Sequence, residues 1–493
     1  MLIVNNVSFF FYIHEISFFL CKFVPKKILM SKIDRSIIKE LNRTRSNTKF
    51  LCNAPFSSIK FNIDGIASPC CCNEYWDNYP AHSINEIWNG NVYKSYRTAI
   101  KRNELPDACA YCRRALLNKE FHSVKIHQFD VLKVSRLFRN KIRKMDLSLS
   151  NACNLECIMC QGYYSNKIRQ NRDHLPPIKN IYGQEFRNEI KPLLPDMQEI
   201  VFLGGEPFLN PLYYDIWEDI ISINPKCIIS VVTNGTILND RIKYFMERGN
   251  FKINLSFDAI TKETYEAIRI NANFEETMAN MKYFGDILAR QGKRLHIPIC
   301  PLKINRFEIP DLIRFCNEKE YSINVCGMGG AVGISMDYMS SDELRETKEF
   351  YLNQKFHVKD DNSQNNIAEF KDLIRRIDEW IEKRVKSEHY MESFDLGKDK
   401  IDKYKKTIFQ KSIMELKTIG YSEEEANALG NALIKKLENL LSAMPEHFNS
   451  NHLYKKLTEV SPTYFVDYII GKESPFSGAD SITDRITNLF FYQ

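Results

Sequence analysis

Three cysteines stand close together in residues 151–164, which read N-A-C-N-L-E-C-I-M-C-Q-G-Y-Y. Cys153, Cys157 and Cys160 follow a C-x3-C-x2-C spacing, so one short loop supplies three thiolates and no fourth ligand. A structural zinc site needs four ligands, and a cubane iron–sulfur cluster normally takes four cysteines, one for each iron atom. Three thiolates on a cubane would leave one iron open, and an open iron beside a buried cavity is a place to do chemistry.

A second group of cysteines begins on a predicted β-hairpin. Residues 59–63 (I-K-F-N-I) alternate as a strand does, Asp64-Gly65 is a strong two-residue turn signal, and residues 66–70 return as the second strand. This hairpin would bring Cys52 and Cys70 towards one point.

Cys109 and Cys112 form a C-x2-C pair that can hold one metal centre from a single turn. Residues 83–96 before this pair predict a short helical stretch with a break at Gly90. Together with the two cysteines of the hairpin region, the pair makes a full set of four ligands. Zinc and iron–sulfur ligands look alike in sequence, so a zinc knuckle without a redox role is the alternative for this group.

From residue 145 onward, apolar strand patterns alternate with helical patterns. The predicted strands are 145–150, 199–204, 227–232, 252–257, 296–300 and 322–326, and the predicted helices between them include 209–222, 262–288 and 308–318. This alternation indicates a parallel sheet, and six repeats predict a partial (β/α)6 TIM-like barrel of the α/β class. In such barrels the chemistry lies at the carboxyl ends of the strands.

Glycine-rich and polar turns follow three of these strands. Gly204-Gly205-Glu206-Pro207 comes after the second strand, and its glycines allow the backbone to approach a ligand closely. Thr233-Asn234-Gly235 follows the third strand and Ser256-Phe257-Asp258 closes the fourth, where polar side chains suit a ribose or carboxylate ligand. The alternatives are an ordinary turn at 233–235 and a helix cap at Asp258, beside a first cap at Thr261.

The cysteine spacing, the run K-M-D-L-S-L-S at residues 144–150 and the GGEP turn together resemble the radical S-adenosylmethionine (SAM) enzymes. The resemblance implies that the open iron chelates the amino and carboxylate groups of SAM, and that the cluster reduces the sulfonium and releases a 5′-deoxyadenosyl radical. The SAM contacts that it implies are Gly204, Gly205, Glu206, Asn234, Ser256 and Asp258. Met159 stands where the family usually has an aromatic residue, and it keeps an apolar cover over the cluster.

The order C-x12-G-x4-C…C-x2-C in residues 52–112 resembles the Twitch module, the shorter relative of the SPASM domain. Those modules hold an auxiliary [4Fe–4S] cluster in radical SAM enzymes, which implies that Cys52, Cys70, Cys109 and Cys112 ligate one here. The module usually follows the barrel, whereas in this chain it precedes it, and the resemblance covers roughly residues 49–330. Two more cysteines, at 71 and 72, adjoin Cys70, which is taken as the ligand because it alone fits the glycine spacing.

Cys326 and Cys300 both end predicted strands, so either thiol could donate a hydrogen atom to a substrate radical. The alternative is that they are small buried apolar side chains, as free cysteines usually are. Cys227 and Cys316 are interpreted in that way.

The composition fits a soluble globular protein of several domains, with 493 residues of which 44% are hydrophobic and 26% charged. The net charge of +6 is small for this length, so no nucleic-acid partner is expected. Nine of the 14 cysteines lie between residues 52 and 160, which favours metal ligation in a reducing compartment and predicts a cytoplasmic protein. The apolar run 7–24 carries charges and is shorter than the ~20 residues of a membrane span, so no membrane partner is expected.

The predicted organisation has five parts. They are an N-terminal extension (1–48), a Twitch-like module (49–120), a basic linker (121–143), the radical SAM partial barrel (144–332) and a mostly helical C-terminal domain (333–493). Residues 1–29 are predicted not to belong to the working protein. Capping boxes at 340–343 and 422–425 and apolar spacing at 367–385 and 423–441 indicate the C-terminal helices, which could cover the barrel, bind the substrate, mediate association or only pack.

The two resemblances together imply an enzyme with two [4Fe–4S] clusters that takes an electron from a flavodoxin or ferredoxin, cleaves SAM and abstracts a hydrogen atom from its substrate. The resemblance implies either a peptide or protein substrate or a small molecule, and the large helical domain favours a peptide. One competing prediction is a non-enzymatic zinc module that pairs Cys109 and Cys112 with Cys157 and Cys160. Another is a barrel that binds SAM without cleaving it.

Overall fold

A computed structural model of the chain describes residues 30–41, 50–70, 77–119, 121, 124–132, 140–173, 175–327, 333–392, 398–418, 421–442, 454, 457 and 458. Within these ranges the chain is an α/β protein whose largest sheet has nine strands. The N-terminal segment 1–29, the two cysteines at 71 and 72, and residues 133–139 of the predicted basic linker lie outside the described residues.

Eleven strands are present in the described ranges. In chain order they are β1 Met30–Lys32, β2 Ser58–Phe61, β3 Ile66–Ser68, β4 Asp77–Asn78, β5 Glu104–Pro106, β6 Lys144–Ser148, β7 Glu199–Leu203, β8 Ile228–Thr233, β9 Phe251–Leu255, β10 His296–Ile299 and β11 Ser322–Val325.

Sixteen α-helices are present in the same ranges. They are α1 Arg35–Glu40, α2 Ala54–Ser57, α3 Ile84–Asn89, α4 Asn91–Lys101, α5 Ala110–Leu117, α6 Asn166–Asn171, α7 Gln184–Ile190, α8 Pro211–Ile223, α9 Asp240–Arg248, α10 Lys262–Ile268, α11 Phe274–Arg290, α12 Ile309–Glu318, α13 Ser341–Leu352, α14 Asp361–Glu392, α15 Lys398–Thr418 and α16 Glu423–Ser442.

The nine-stranded sheet has the order β11-β10-β9-β8-β7-β6-β2-β3-β4. All neighbouring strands from β6 to β11 are parallel, and at least one helix lies between each successive pair along the chain. All six predicted barrel strands are present, so the predicted partial (β/α)6 barrel is confirmed. Because the strands are parallel, their carboxyl ends meet at one edge of the sheet.

The two faces of the barrel sheet carry different side chains. On one face, the Trp217 ring of α8 lies with its centroid 5.6 Å from the rings of Phe202 and Phe251, so the helices cover an apolar surface. Alternate residues point to the opposite face, where His296 Nε2 lies 2.6 Å from Asn324 Oδ1. The inner face of the barrel therefore carries polar side chains at these two strands, and the main hydrophobic core lies between the sheet and its helices.

The predicted hairpin of the cysteine-rich segment continues the barrel sheet. Strand β2 pairs antiparallel with β3 and parallel with β6, with Ile59 opposite Met145 and Phe61 opposite Leu147. This pairing sets the position of the hairpin relative to the first barrel strand and to the loop that follows it. The predicted division between this module and the barrel stays a prediction, since one sheet runs across it.

The turn of this hairpin has three residues, 63–65, so the prediction of a two-residue turn is wrong. The Asn62 N–H donates to the Ile66 carbonyl at 3.1 Å, and Gly65 adopts a φ of +85°. The physical reason is the Asn62 side chain, whose Oδ1 accepts from the Ile66 N–H at 2.9 Å in place of a backbone pair.

The helix predicted at 262–288 is two helices, α10 and α11, so that prediction is wrong about continuity. Residues 269–273 separate the helices, and Asn271 adopts a φ of +74° within them. Asn273 caps α11, because its Oδ1 accepts from the Glu276 N–H at 2.9 Å. The break leaves backbone carbonyls available to another loop, described below.

Helix α14 covers the edge of the sheet at β11. Asn366 Oδ1 accepts from the Ile323 N–H at 3.0 Å, and Glu369 Oε2 accepts from the Val325 N–H at 3.0 Å. Arg376 also donates to the Val325 carbonyl at 3.1 Å. An uncovered strand edge invites pairing with another chain, so part of the C-terminal region has a structural role in the barrel.

The described C-terminal residues are mostly helical, as predicted. The two predicted capping boxes are present: Glu343 Oε2 accepts from the Ser340 N–H at 2.8 Å, and Glu425 Oε2 accepts from the Ser422 N–H at 2.9 Å. None of the helices in the described ranges combines the length and apolar character that a bilayer crossing needs.

Candidate functional site

The first three cysteines lie on the loop after β6, residues 151–164, which we call the cysteine loop. Asn166 Oδ1, at the start of α6, accepts from the Cys153 N–H at 2.9 Å, and the Cys160 N–H donates to the Cys157 carbonyl at 3.0 Å. Cys157 is buried, whereas Cys153 and Cys160 are half-buried. The loop thus places three thiols at the carboxyl end of the first barrel strand.

The cysteine loop is fastened to the break between α10 and α11. The Glu156 N–H donates to the Ile270 carbonyl at 3.0 Å, and the Ile158 N–H donates to the Ile268 carbonyl at 2.9 Å. The Asn271 amide also donates to Glu156 Oε1 at 2.9 Å. These bonds account for the helix break, because the carbonyls that would continue α10 are used by the loop.

Arg269, in the same break, is a buried guanidinium that touches a cysteine of the loop. Its Nη2 donates to Asp258 Oδ2 at 2.6 Å, and its Nη1 donates to Cys157 Sγ at 3.9 Å. Burial by itself would lower the pKa of Arg269, but Asp258 and Cys157 raise it, so the group stays charged. A positive charge at this distance favours the thiolate form of Cys157.

Burial raises the pKa of all three thiols of the loop, and it raises the pKa of Cys160 to about 12. Thiols in such surroundings ionise when additional positive charge is bound, since a coordinated metal centre deprotonates its thiol ligands. The donor set therefore fits an iron–sulfur cluster better than it fits a group of reactive free thiolates.

The glycines of the GGEP turn pack against the cysteine loop and the strand before it. Gly204 and Gly205 adopt φ values of +88° and +55°. A Cβ on Gly205 would lie 2.2 Å from the Ala152 carbonyl oxygen, and a Cβ on Gly204 would lie 2.4 Å from Ser148 Oγ. Glycine is required at both positions, so the two motifs are in direct contact.

Glu206 is buried and joins the ends of the second and third barrel strands. Its N–H donates to the Ala152 carbonyl at 2.8 Å. Its carboxylate accepts from the Phe208 N–H, the Thr233 hydroxyl and the Asn234 N–H at 2.7–3.1 Å. Burial nevertheless raises the pKa of Glu206 to about 7. This carboxylate holds the turn in place, and its contact with the amino group of SAM stays a prediction.

Asn234 and Ser256, two further predicted contacts of SAM, lie at the ends of neighbouring strands. The Asn234 amide donates to Asn154 Oδ1 at 2.9 Å, so it touches the cysteine loop directly. Ser256 is half-buried, and its N–H donates to the Thr233 carbonyl at 2.9 Å. Both residues therefore lie at the carboxyl edge of the sheet where the site was predicted.

Asp258 is fully buried and connects the break between α10 and α11 to the residue that follows β10. Its Oδ2 accepts from Arg269, and its Oδ1 accepts from the Cys300 N–H at 2.8 Å. Both carboxylate oxygens are thus engaged within the protein, and the contact of Asp258 with SAM stays a prediction. Cys300 and Cys326, the two predicted hydrogen donors, follow β10 and β11 at the same edge of the sheet.

The four cysteines of the second group line one cavity. Cys52, Cys70, Cys109 and Cys112 contribute to its wall, and the rest of the wall consists of apolar side chains and Lys125. Four thiols around one space satisfy the requirement of a cubane for one ligand on each iron. The choice of Cys70 over its two neighbours stays a prediction, since those neighbours lie outside the described residues.

Two family models match the chain. The first, described as the radical SAM superfamily, matches residues 147–316, which contain the cysteine loop and the GGEP turn. Residues 147–316 of this chain therefore form a radical SAM domain. The second model, described as an iron–sulfur cluster-binding domain of the SPASM type, matches residues 52–113 and spans all four cysteines that line the cavity. The radical SAM protein thus has its SPASM-type domain ahead of the barrel.

Curated relatives match this radical SAM protein over part of their length. A probable GTP 3′,8-cyclase of Methanocaldococcus jannaschii is 27% identical over 192 residues, which are 37% of this chain and 57% of that protein. A GTP 3′,8-cyclase of Synechocystis is 26% identical over 188 residues, which are 38% of this chain and 54% of that protein. The chain therefore spans little more than half the length of these relatives.

Among solved structures, Streptococcus suis SuiB bound to the precursor peptide SuiA is similar to this radical SAM protein. The sequence identity is 16% and the TM-score 0.33, and the alignment covers 49% of this chain and 51% of that chain.

The two matched domains imply SAM, a [4Fe–4S] cluster and an auxiliary iron–sulfur cluster as the cofactors of this radical SAM protein. Within the described ranges, no three His, Cys, Asp or Glu side chains are gathered as a single metal ion would require. The cavity groups Cys109 and Cys112 with Cys52 and Cys70, and not with Cys157 and Cys160 as the competing zinc module would require.

Three residues that fasten the site were missed by sequence reasoning. Asn154 lies between two cysteines of the motif, so its position was a usable signal. Arg269 lies inside a stretch predicted as helix, where no local pattern marks it. Tyr163 donates to Asp64 in the hairpin turn at 2.8 Å, a contact between residues far apart in sequence.

Proposed function

We propose that this protein is a radical SAM enzyme that reductively cleaves SAM at a [4Fe–4S] cluster held by Cys153, Cys157 and Cys160, and that it abstracts a hydrogen atom from its substrate. The observation that carries the proposal is the contact of the GGEP turn with the cysteine loop, where Gly205 lies against Ala152. When bound, the cluster and SAM together supply a 5′-deoxyadenosyl radical.

The residues of the chain position and shield this site, which is the task of a protein in cofactor chemistry. Asn166 holds the loop at Cys153, Asn234 holds it at Asn154, and the break between α10 and α11 holds its second half. Arg269 offsets part of the negative charge that three thiolates bring. A loop fixed from three sides supports a cluster of constant orientation relative to the barrel.

We further propose that Cys52, Cys70, Cys109 and Cys112 hold an auxiliary [4Fe–4S] cluster. Its role is to accept an electron from the substrate radical or to relay electrons. The pairing of β2 with β6 supports this role, because it places the cysteine-rich segment beside the cysteine loop. A flavodoxin or ferredoxin-type carrier supplies the electron that cleaves SAM.

A peptide or protein substrate is the first substrate class of this proposal, and a small polar molecule is the second. The size of the helical C-terminal region favoured a peptide, but α14 has a structural role at the edge of β11. Two relatives are named GTP 3′,8-cyclases, and the polar inner face of the barrel around His296 and Asn324 supports a small substrate. The absence of nucleic-acid and membrane partners and a cytoplasmic location stay predictions.

Anaerobic reconstitution with iron and sulfide, followed by SAM and dithionite, tests the proposal through the release of 5′-deoxyadenosine. We expect alanine at Cys153, Cys157 and Cys160 together to abolish the release, and bound iron to fall from about eight to about four atoms per chain. Cys227→Ala, a change at a buried thiol of the core, is the matched control. It should keep both the release of 5′-deoxyadenosine and the bound iron of the wild type. Undiminished cleavage in the triple variant, or zinc without sulfide in the wild type, would contradict the proposal.

The two substrate classes are separated by the same assay. A small-molecule fraction and a peptide fraction of one cell extract are each added to the reconstituted protein. We expect the rate of 5′-deoxyadenosine release to rise with the fraction that contains the substrate.

A further inference from the structure

Two thiols, Cys300 and Cys326, lie side by side where β10 and β11 end. The strands are parallel with Ile299 opposite Val325, and the Cys326 N–H donates to the Ile299 carbonyl at 2.8 Å. The next pair in this register is Cys300 and Cys326. Residues opposite each other on neighbouring strands point to the same face. Because Ile299 and Val325 lie on the apolar outer face, both thiols lie on the polar inner face.

The two sulfurs interact with each other. The hydrogen bond between them raises the pKa of Cys300 and lowers the pKa of Cys326, whose sulfur also accepts from the Asn324 amide at 3.4 Å. Cys300 therefore holds a proton that Cys326 accepts. Adjacent strands are about 4.8 Å apart, and a disulfide spans Cα atoms about 4.4–6.8 Å apart. The pair can be joined without a large backbone movement.

A continuous set of contacts connects this thiol pair to the cysteine loop. The Cys300 N–H donates to Asp258 Oδ1 at 2.8 Å, Asp258 accepts from Arg269 at 2.6 Å, and Arg269 reaches Cys157 Sγ at 3.9 Å. Both thiols are also partly exposed, unlike the fully buried Cys316 on α12. The pair is thus placed inside the barrel, at the edge where the radical of the proposed function would form.

We propose that Cys300 and Cys326 act together to donate a hydrogen atom to a carbon radical inside the barrel. This inference rests on the proposed function, and it assigns the two thiols different tasks. The S–H bond of Cys300 breaks and a C–H bond forms on the radical carbon. The unpaired electron left on the Cys300 sulfur is then shared with the Cys326 sulfur in a three-electron S–S bond, and the Cys326 thiol releases its proton to solvent as this bond forms.

The remaining steps restore the two thiols. An oxidised flavodoxin or ferredoxin-type carrier accepts the surplus electron, which leaves a disulfide between Cys300 and Cys326. An external dithiol reduces this disulfide by exchange, and the dithiol becomes a disulfide itself. The second thiol consumes the sulfur radical before that radical abstracts a hydrogen atom from a weak C–H bond.

Solvent deuterium tests the transfer, because thiol protons exchange with D2O and carbon-bound hydrogens do not. With SAM and dithionite in D2O and no added substrate, the 5′-deoxyadenosyl radical is the probe. We expect deuterium in the 5′-methyl group of the 5′-deoxyadenosine released by the wild type. The 5′-deoxyadenosine that Cys300→Ser releases should carry no label, since a serine O–H bond is too strong to donate. Cys316→Ser is the matched control and should keep the label.

A second readout does not depend on bound cofactors. After treatment of the full chain with oxidised glutathione, alkylation and peptide mass spectrometry should find a disulfide between Cys300 and Cys326, and neither Cys300→Ser nor Cys326→Ser should contain it. This inference is overturned if Cys300→Ser and the wild type are labelled equally, or if the wild type releases 5′-deoxyadenosine without label. Either result leaves the proposed function intact. If the wild type releases no 5′-deoxyadenosine, the proposed function fails, and absence of the disulfide separately overturns the thiol pair.

Discussion

The Arg269 guanidinium donates to the Cys157 sulfur at 3.9 Å from a buried position. Its second partner is the fully buried Asp258 carboxylate, at 2.6 Å. A buried charge is tolerated when it is paired, so this arrangement keeps a positive charge beside a proposed cluster ligand. It also couples the folding of the α10–α11 break to the cysteine loop.

Replacement of Arg269 by methionine should lower the free energy of unfolding by about 3–5 kcal/mol, because Asp258 is left as an unpaired buried charge. The double variant Asp258→Asn/Arg269→Met should regain part of this loss. Urea unfolding of the reconstituted protein measures both. Arg248→Met, on the surface end of α9, is the control and should change little. An equal loss of stability in Arg269→Met and Arg248→Met would contradict the account of the buried pair.

The buried Glu206 should make the protein less stable as the pH rises. Its pKa is raised from 4.5 to about 7 in the folded protein, so between these values the folded state binds more protons than the unfolded state. The free energy of unfolding therefore falls with increasing pH across this window. The contribution of Glu206 to the free energy of unfolding is complete below about pH 4.5 and is lost above about pH 7.

Glu206→Gln cannot titrate and should remove this part of the pH dependence. Urea unfolding of the wild type and the variant at several pH values across the window checks the prediction. A variant whose stability falls with pH as steeply as that of the wild type would show that Glu206 is not the group responsible.

Cys70→Ala should lose the auxiliary cluster, because Cys70 lines the cavity together with Cys52, Cys109 and Cys112. Iron per chain should fall from about eight to about four atoms, while SAM cleavage at the barrel cluster persists. Alanine at positions 71 and 72 provides two matched controls with the same chemical change. Loss of the cluster in either control, with retention in Cys70→Ala, would move the ligand to a neighbouring position.

Tyr163→Phe should loosen the connection between the hairpin turn and the cysteine loop. The phenol donates to Asp64 Oδ2 at 2.8 Å, and the Asn62 amide donates to the phenol oxygen at 2.6 Å. Loss of a hydrogen bond to a charged group costs about 1.5–3 kcal/mol, and urea unfolding measures it. Tyr164→Phe, the adjacent tyrosine, is the control, and an equal effect there would contradict the prediction.

Asn366→Ala should uncover the edge strand β11, because the Ile323 N–H loses the acceptor that it has at 3.0 Å. A buried N–H without a partner costs about 1–3 kcal/mol. Asn365→Ala, at an exposed position of the same helix, carries the same change in helix propensity and should cost much less. Thermal or urea unfolding compares the two, and equal losses would argue against the edge-covering role of α14.

The order of motifs along the chain was sufficient to predict the barrel and the two cysteine groups. Strand and helix periodicities are local properties, so all six parallel strands could be read before the fold was known. Ligand spacing is local as well, since Cys153, Cys157 and Cys160 must lie on one loop to share a cluster. The same reasoning failed at the turn of 63–65 and at the break after Ile268, because side chains and carbonyls there bond to distant partners.

The sequence by itself determined which residue types are available for a cluster, a glycine turn and a barrel, because these requirements depend on neighbours within one loop or one element. Only the tertiary structure decided that the hairpin continues the barrel sheet, that Arg269 joins Asp258 to Cys157, and that Cys300 meets Cys326. The physical reason is that these contacts depend on the register of strands and the packing of a buried charge. Neither property leaves a pattern in adjacent residues.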